Sequence, residues 1–270
     1  MDVKKGEAQI PIIRYRNKIA TQITDVLAVE EPLEIFIDGK PYYMIMRLPG
    51  EEMALALGYC FSEGIIDSRD EVRLINYCGE ETGNRVYVTL DVQRKNLQKD
   101  FTIKERCLPA YSSCGICGKQ LIEDICTKIC KREGSFILPV SQIDELIDIV
   151  QEHQQLFAQT GATHAAAAFD ENLQLLAFAE DVGRHNALDK VLGKLILAGK
   201  VAATVVMVVT SRVSYEVVQK TGRSGAQILI GISSATSLAV QLATDINLTL
   251  VGFARRQQGN IYTVADRIKF

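Results

Sequence analysis

Hydrophobic and polar positions change their spacing twice along this chain. Leu33-Glu34-Ile35-Phe36-Ile37 and Tyr42-Tyr43-Met44-Ile45-Met46 are β-prone runs flanking Asp38-Gly39-Lys40-Pro41, and Asp-Gly between such runs predicts a hairpin. Pro49-Gly50 ends the second strand. Glu51 to Ser62 is apolar nearly all round and predicts a helix, with Gly64 placed at its C-terminal cap. Strands are expected over Val72–Tyr77 and Arg85–Leu90. The first 25 or so residues are weakly periodic and read as an arm or edge segment. Asp91 to Ser113 is polar and unpatterned, a long loop of the kind that often carries function. After it, Leu121, Ile122, Ile125, Cys126, Ile129 and Cys130 fall on one face of a predicted helix. A second amphipathic helix is expected from Ser141 to Phe157, its start resembling a capping arrangement with Asp144 three positions on.

From Gly161 the pattern becomes an alternation. Strand candidates at Thr163–Phe169, Leu173–Ala179, Thr204–Val209, Gln227–Ile232, Leu248–Phe253 and Ile261–Val264 mostly alternate with helical segments at His185–Leu197, Ser214–Thr221 and Thr236–Thr244. This predicts an α/β layered sheet, largely parallel after an opening hairpin. Ligands of such sheets bind beyond the carboxyl ends of the strands.

Composition narrows the function classes. The 270 residues are 47% hydrophobic and 23% charged, enough for two domains or one large one. A net charge of −3 and a pI near 5.7 argue against broad nucleic-acid binding. The most apolar segment, Val201 to Val209, is too short to cross a membrane as a helix and fits a buried strand. The first residues lack a signal-peptide pattern, and seven cysteines do not read as a disulfide framework, so a cytoplasmic protein with reduced thiols is expected.

Candidate chemistry is concentrated in a few places. In Ser113-Cys114-Gly115-Ile116-Cys117-Gly118 a glycine follows each cysteine and a predicted helix begins just after. A thiol near a helix N-terminus is biased toward thiolate, and glycine leaves the sulfur open to approach. The local residues fit reactive sulfur, a buried pair or half of a zinc site. Cys126 and Cys130 extend the spacing, but they sit at helical spacing on an apolar face, where buried cysteine is common. Cys60, Cys78 and Cys107 read as packing residues.

A second constellation, Glu180 to Lys190, places Arg184, His185 and Asn186 at a helix start after a glycine-containing turn, which suits an anion. The alternative is a cap in which Asp181 and Arg184 pair. Thr210-Ser211-Arg212 and Ser233-Ser234-Ala235-Thr236-Ser237 occupy similar strand ends, and several polar turns at corresponding ends favour one shared cleft over separate caps. His164, among small residues, either lines a cavity or is a satisfied core histidine. No zinc-deaminase signature is present, because His164 is followed by Ala165 and Ala166 and the cysteine pair lies upstream. The pair does not follow the first strand of a βαβ unit, as a thioredoxin-like motif would, and no phosphate loop appears.

Taken together, these segments resemble the FdhD family of formate dehydrogenase accessory sulfurtransferases from about Val26 to Ile268. The resemblance rests on Glu31-Pro32-Leu33, Pro49-Gly50, Leu57-Gly58 with Ser62-Glu63-Gly64-Ile65-Ile66, the Ser113–Gly118 cysteine motif and Thr160-Gly161 with His164-Ala165. It continues through Glu180–Lys190, Arg212-Val213-Ser214-Tyr215-Glu216, and Thr249–Phe253 with Arg255. Two turns depart from the family pattern: Thr210-Ser211-Arg212 replaces Ser-Gly-Arg, and Ser233-Ser234-Ala235-Thr236 replaces Ser-Ala-Pro-Thr. The resemblance implies a cytidine-deaminase-like layered α/β domain over residues 133–270, after a smaller α+β domain over 1–132. It implies a homodimeric sulfur carrier that works between a cysteine desulfurase and formate dehydrogenase, with Cys114 as first thiol and Cys117 as its helper. The substrate it implies is the molybdenum cofactor in its bis-molybdopterin guanine dinucleotide form, with no metal of the protein's own. Phe253, Ala254, Arg255, Arg256, Gln257 and Gln258 align with the family's cofactor-binding segment. Arg184, His185, Asn186, Arg212, Ser233 and His164 are the further candidates for holding its pyrophosphates and guanines. The rival reading is a non-catalytic chaperone of the cofactor or the dehydrogenase, with structural or metal-bound cysteines.

Overall fold

The computed structural model describes residues 2–4, 6–79, 83–91 and 134–270. Cys114, Cys117, the long loop after Asp91, the helix expected near 119–130 and the boundary expected at 132/133 lie outside the described residues.

The Asp-Gly hairpin forms as expected, with β4 Glu31–Ile37 paired antiparallel to β5 Lys40–Arg47. With β6 Val72–Cys78 and β7 Arg85–Leu90 it makes a four-stranded sheet in the order β5-β4-β7-β6. The helix α1 Glu52–Ser62 lies against it and ends as predicted, with Gly64 in the left-handed region at φ 72°. The N-terminal segment is a correction. It forms a sheet of β1 Asp2–Lys4, β2 Glu7–Arg16 and β3 Ile19–Ala28, where β2 and β3 pair without a break from Glu7↔Ala28 to Arg16↔Ile19. The turn is Asn17-Lys18, both at positive φ, as a two-residue hairpin requires. Without a glycine it gave no turn signal.

The helix expected over Ser141–Phe157 is two helices, α2 Ser141–His153 and α3 Gln155–Thr160, broken at the buried Gln154. The break has a tertiary cause. The Glu180 carboxylate accepts the Leu156 and Phe157 N–H groups at 3.1 and 2.9 Å and so caps α3 from outside. The expected cap at the start of α2 is also absent: Val140 is the N-cap residue and no side chain bonds there.

The remaining elements are β8 Leu138–Pro139, β9 His164–Phe169, β10 Leu175–Asp181, α4 Arg184–Leu197, β11 Val206–Val209, α5 Tyr215–Ser224, β12 Ile228–Gly231, α6 Ser237–Asp245, β13 Thr249–Arg255, β14 Gln258–Thr263 and β15 Ile268–Lys269. Six strands form one sheet in the order β10-β9-β11-β12-β13-β14. Its opening hairpin is present, but the sheet is mixed rather than largely parallel. Only β11–β12 and β12–β13 are parallel, because β9 and β14 run against their neighbours.

The two faces of this sheet carry separate cores. Ala165, Ala167, Val206, Val208, Ile228 and Ile230 pack against Ile143, Leu146, Ile147 and Val150 of α2. The alternate residues Ala166, Ala168, Met207, Val209 and Leu229 join a larger core built with α1, α4, α5, α6 and the four-stranded sheet. Buried leucines such as Leu55, Leu57, Leu188 and Leu192 each contribute about 1.5–3 kcal/mol there. α1 and α4 cross at glycines: a Cβ on Gly58 would collide with the Asp189 carbonyl, and one on Gly193 with the Ala54 carbonyl.

Candidate functional site

Strand direction gathers the candidate turns. The parallel β11, β12 and β13 end at one edge of the sheet, and antiparallel β9 starts there with His164, which pairs with Asp181 at the end of β10. The turns at 182–184, 210–214, 232–236 and 253–257 therefore line a single edge. Backbone bonds tie them together. Thr210 N–H donates to the Ala165 carbonyl and its Oγ1 accepts from Ala165 N–H at 2.9 Å. Val213 and Thr236 are joined to Ser234 and Val213 in turn, and Phe253 N–H donates to the Ser233 carbonyl at 3.0 Å. The two turns that depart from the family pattern keep ordered conformations. Ser211 is buried and donates to the Arg212 carbonyl, and Thr236 caps α6 by accepting from Ala239 N–H.

The candidates separate into two groups along this edge. The first lies where α4 and α5 begin. His185 in the first turn of α4 places Nε2 2.7 Å from Oε2 of Glu216 in the first turn of α5. That contact holds the Glu216 carboxyl below its ordinary value against the upward push of burial. Half-buried His164 sits beside them. Burial lowers its pKa, and Arg184, Arg212 and His185 lower it further, as expected of an imidazole among cations. Arg184 and Arg212 have no ion-pair partner among the described residues, and both charges bear on His164. Glu216 was legible only as part of the Arg212–Glu216 motif, and its role required the α4–α5 juxtaposition.

The second group lies on the α2 side of the sheet, around a cavity of about 920 Å³. Arg255, Arg256, Gln257 and Gln258 form one wall, and α2 supplies Asp144, Ile147, Asp148 and Gln151 as the other. Sequence reading missed all four α2 residues, although their i, i+3, i+4, i+7 spacing was visible. Asp144 takes the role that its expected cap would have used: its Oδ2 accepts the Gln257 N–H at 2.7 Å. This bond braces a turn in which Arg256 and Gln257 both hold positive φ. Of the other residues in the segment, Phe253 is 40% exposed and Ala254 is fully buried.

One candidate, Asn186, has a structural duty, shared with Asp181. Asn186 is buried and donates to the Met46 carbonyl at 2.7 Å and to Asp181 at 2.9 Å. Asp181 does not pair with Arg184. It accepts from Leu48 and Gly183 N–H and lies 2.8 Å from Lys190 Nζ, which also donates to the Leu48 carbonyl. A neighbouring buried set joins Lys220 to both oxygens of Asp189 at 2.9 Å and to Ser62 Oγ at 2.6 Å. Burial raises the Asp189 carboxyl despite Lys220; for Lys220, Asp189 and Glu63 outweigh burial and raise it. Burial also pushes the Cys60 thiol up to about 12, which leaves it a packing residue. No described helix is long and apolar enough to cross a membrane.

Residues 28–269 match the FdhD/NarQ family. A Streptomyces avermitilis protein named sulfur carrier protein FdhD is 38% identical over 266 residues, covering 95% of this chain and 94% of its own. Its namesake from Sulfurisphaera tokodaii is 36% identical over 276 residues, covering 99% and 100%. Among solved structures, a protein from Desulfotalea psychrophila described as a formate dehydrogenase accessory protein superposes with a TM-score of 0.78 at 25% identity, covering 97% of this chain and 99% of its own. A family match across nine-tenths of the chain, with relatives aligned nearly end to end, makes this protein a member of the FdhD/NarQ family.

Proposed function

We propose that this protein is a cytoplasmic, homodimeric sulfur carrier that readies the molybdenum cofactor for formate dehydrogenase. The observation that supports this most is the end-to-end similarity to proteins named sulfur carriers, together with a cavity bounded by the aligned Arg255–Gln258 segment. A cavity near 900 Å³ is within the usual range for ligand sites and suits a nucleotide-bearing substrate. The part over 133–270 is cytidine-deaminase-like in layering and holds the substrate, and the part over 1–132 brings the thiols.

In this reading the Cys114 thiolate attacks the terminal sulfur of a cysteine desulfurase persulfide. The new Cys114 S–S bond forms as the desulfurase S–S bond breaks, and the desulfurase thiolate leaves. The sulfur then passes to bis-molybdopterin guanine dinucleotide. Cys117 either accepts it in turn or attacks Cys114, which releases hydrosulfide and leaves a disulfide that a cellular thiol reduces. Arg184 and Arg212, which have no ion-pair partner among the described residues, hold an anionic group of the same substrate together with His185 in the first turn of α4 and His164 at the start of β9. Ser233 supports this edge through its backbone.

Mass spectrometry after incubation with a cysteine desulfurase and cysteine tests the carrier. One added sulfur on wild type that is lost in Cys114→Ala is the expected result. No added sulfur on wild type, with maturation of formate dehydrogenase intact in Cys114→Ala, would favour the chaperone reading instead.

A further inference from the structure

The α2-side cavity has opposed chemistry on its two walls. Arg255 and Arg256 make one wall cationic, while Ile147 of α2 and Ile232 supply apolar lining. The α2 wall carries two carboxylates one turn apart, and they differ in what remains available. Asp144 is half-buried and engaged by the Gln257 N–H. Asp148 is exposed, faces the cavity and has no hydrogen-bond or ion-pair partner among the described residues. Gln151 stands one turn further along the same face. A ligand matched to this cavity carries anionic groups at one end, a flat apolar body, and a pair of hydrogen-bond donors at the other.

A guanine nucleotide has this distribution. Its N1–H and exocyclic amine are adjacent donors on one edge, spaced to meet the two oxygens of one carboxylate. Adenine presents an acceptor nitrogen at the corresponding position, which a carboxylate repels. Resting on the reading that the substrate's guanine nucleotide enters this cavity, we propose that Asp148 is its specificity-determining residue, accepting from guanine N1–H and the exocyclic amine. Asp144 is the positioning residue beside it, holding the 255–258 turn that receives the phosphates. A donor-reading carboxylate discriminates because the wrong base leaves it unpaired.

Calorimetric titration of the full-length protein with guanosine, inosine, adenosine and xanthosine diphosphates tests this. Wild type is expected to prefer the guanosine form over the adenosine form by about tenfold or more, with the inosine form, which lacks the amine, in between. Asp148→Asn is expected to lose that preference and to gain affinity for the xanthosine form, whose second carbonyl accepts from a carboxamide. A gain of binding is not produced by misfolding. Retained guanine preference in Asp148→Asn would overturn the assignment while leaving the substrate reading intact. Equal binding of guanosine and adenosine diphosphates by wild type would overturn it as well. If wild type binds none of the four, the placement of the nucleotide in this cavity fails, and the Asp148 assignment with it.

Discussion

The imidazole of His185 and the carboxylate of Glu216 stand 2.7 Å apart and join the first turns of α4 and α5. Two helices that begin at different strand ends thereby present their N-termini, and Arg184 and Arg212 with them, to one place. The contact depresses the Glu216 pKa, so its contribution to stability is present above the unfolded carboxyl value of roughly 4.3 and is lost as pH falls through the lower folded value. Glu216→Gln is expected to cost about 1 kcal/mol near pH 6, with the difference from wild type shrinking as pH falls below the unfolded carboxyl value. Urea denaturation across that range checks it.

His164 titrates below its ordinary value. A depressed histidine contributes stability above its unfolded pKa of roughly 6.5, and that contribution is lost as pH falls through the folded value. His164→Gln is expected to flatten the loss of stability between pH 7 and pH 5. If Arg184 and Arg212 hold an anion, inorganic phosphate or guanosine diphosphate should raise the His164 pKa, read from its ring protons by NMR. Saturating anion that leaves this titration unchanged would remove the ligand from this part of the edge.

The glycine crossing of α1 and α4 has no room for a methyl group on either side. Gly58→Ala and Gly193→Ala should each cost at least about 3 kcal/mol, because backbone rather than a flexible side chain blocks the added carbon. Chemical denaturation of each variant, or failure to recover folded protein, is the measurement. Gly39, whose Cβ would meet nothing within 4 Å, is the control for glycine at a turn.

Lys220 and Asp189 form a buried pair between α5 and α4. Removing one charge leaves the other uncompensated, so Lys220→Met should lose about 3–5 kcal/mol. The double variant with Asp189→Leu should recover most of that loss. Equal instability of the single and double variants would mean that packing, not charge, is the cause.

The hairpin at β4–β5, the capping by Gly64, and most strands and helices after Gly161 were legible because their signals are local. Turn chemistry, strand propensity and side-chain period act within a few residues. The β2–β3 hairpin escaped notice because Asn17-Lys18 adopts positive φ without glycine. The break at Gln154 and the role of Asp144 escaped for another reason: Glu180 and Gln257, the partners that decide them, are distant in sequence.

For the site, the sequence by itself determined which residue types stand at the strand ends, through the order of apolar strands and polar turns. Only the tertiary structure decided which of them meet. The antiparallel entry of β9 brings His164 to the edge with Arg184 and Arg212, and the face of the sheet on which α2 packs assigns Arg255–Gln258 to a separate cavity with Asp148. Asn186 looked like a ligand group, yet it serves with Asp181 the junction with Met46 and Leu48. Whether a polar side chain is free for a ligand depends on what packs against it, and that is set by long-range pairing of strands and helices.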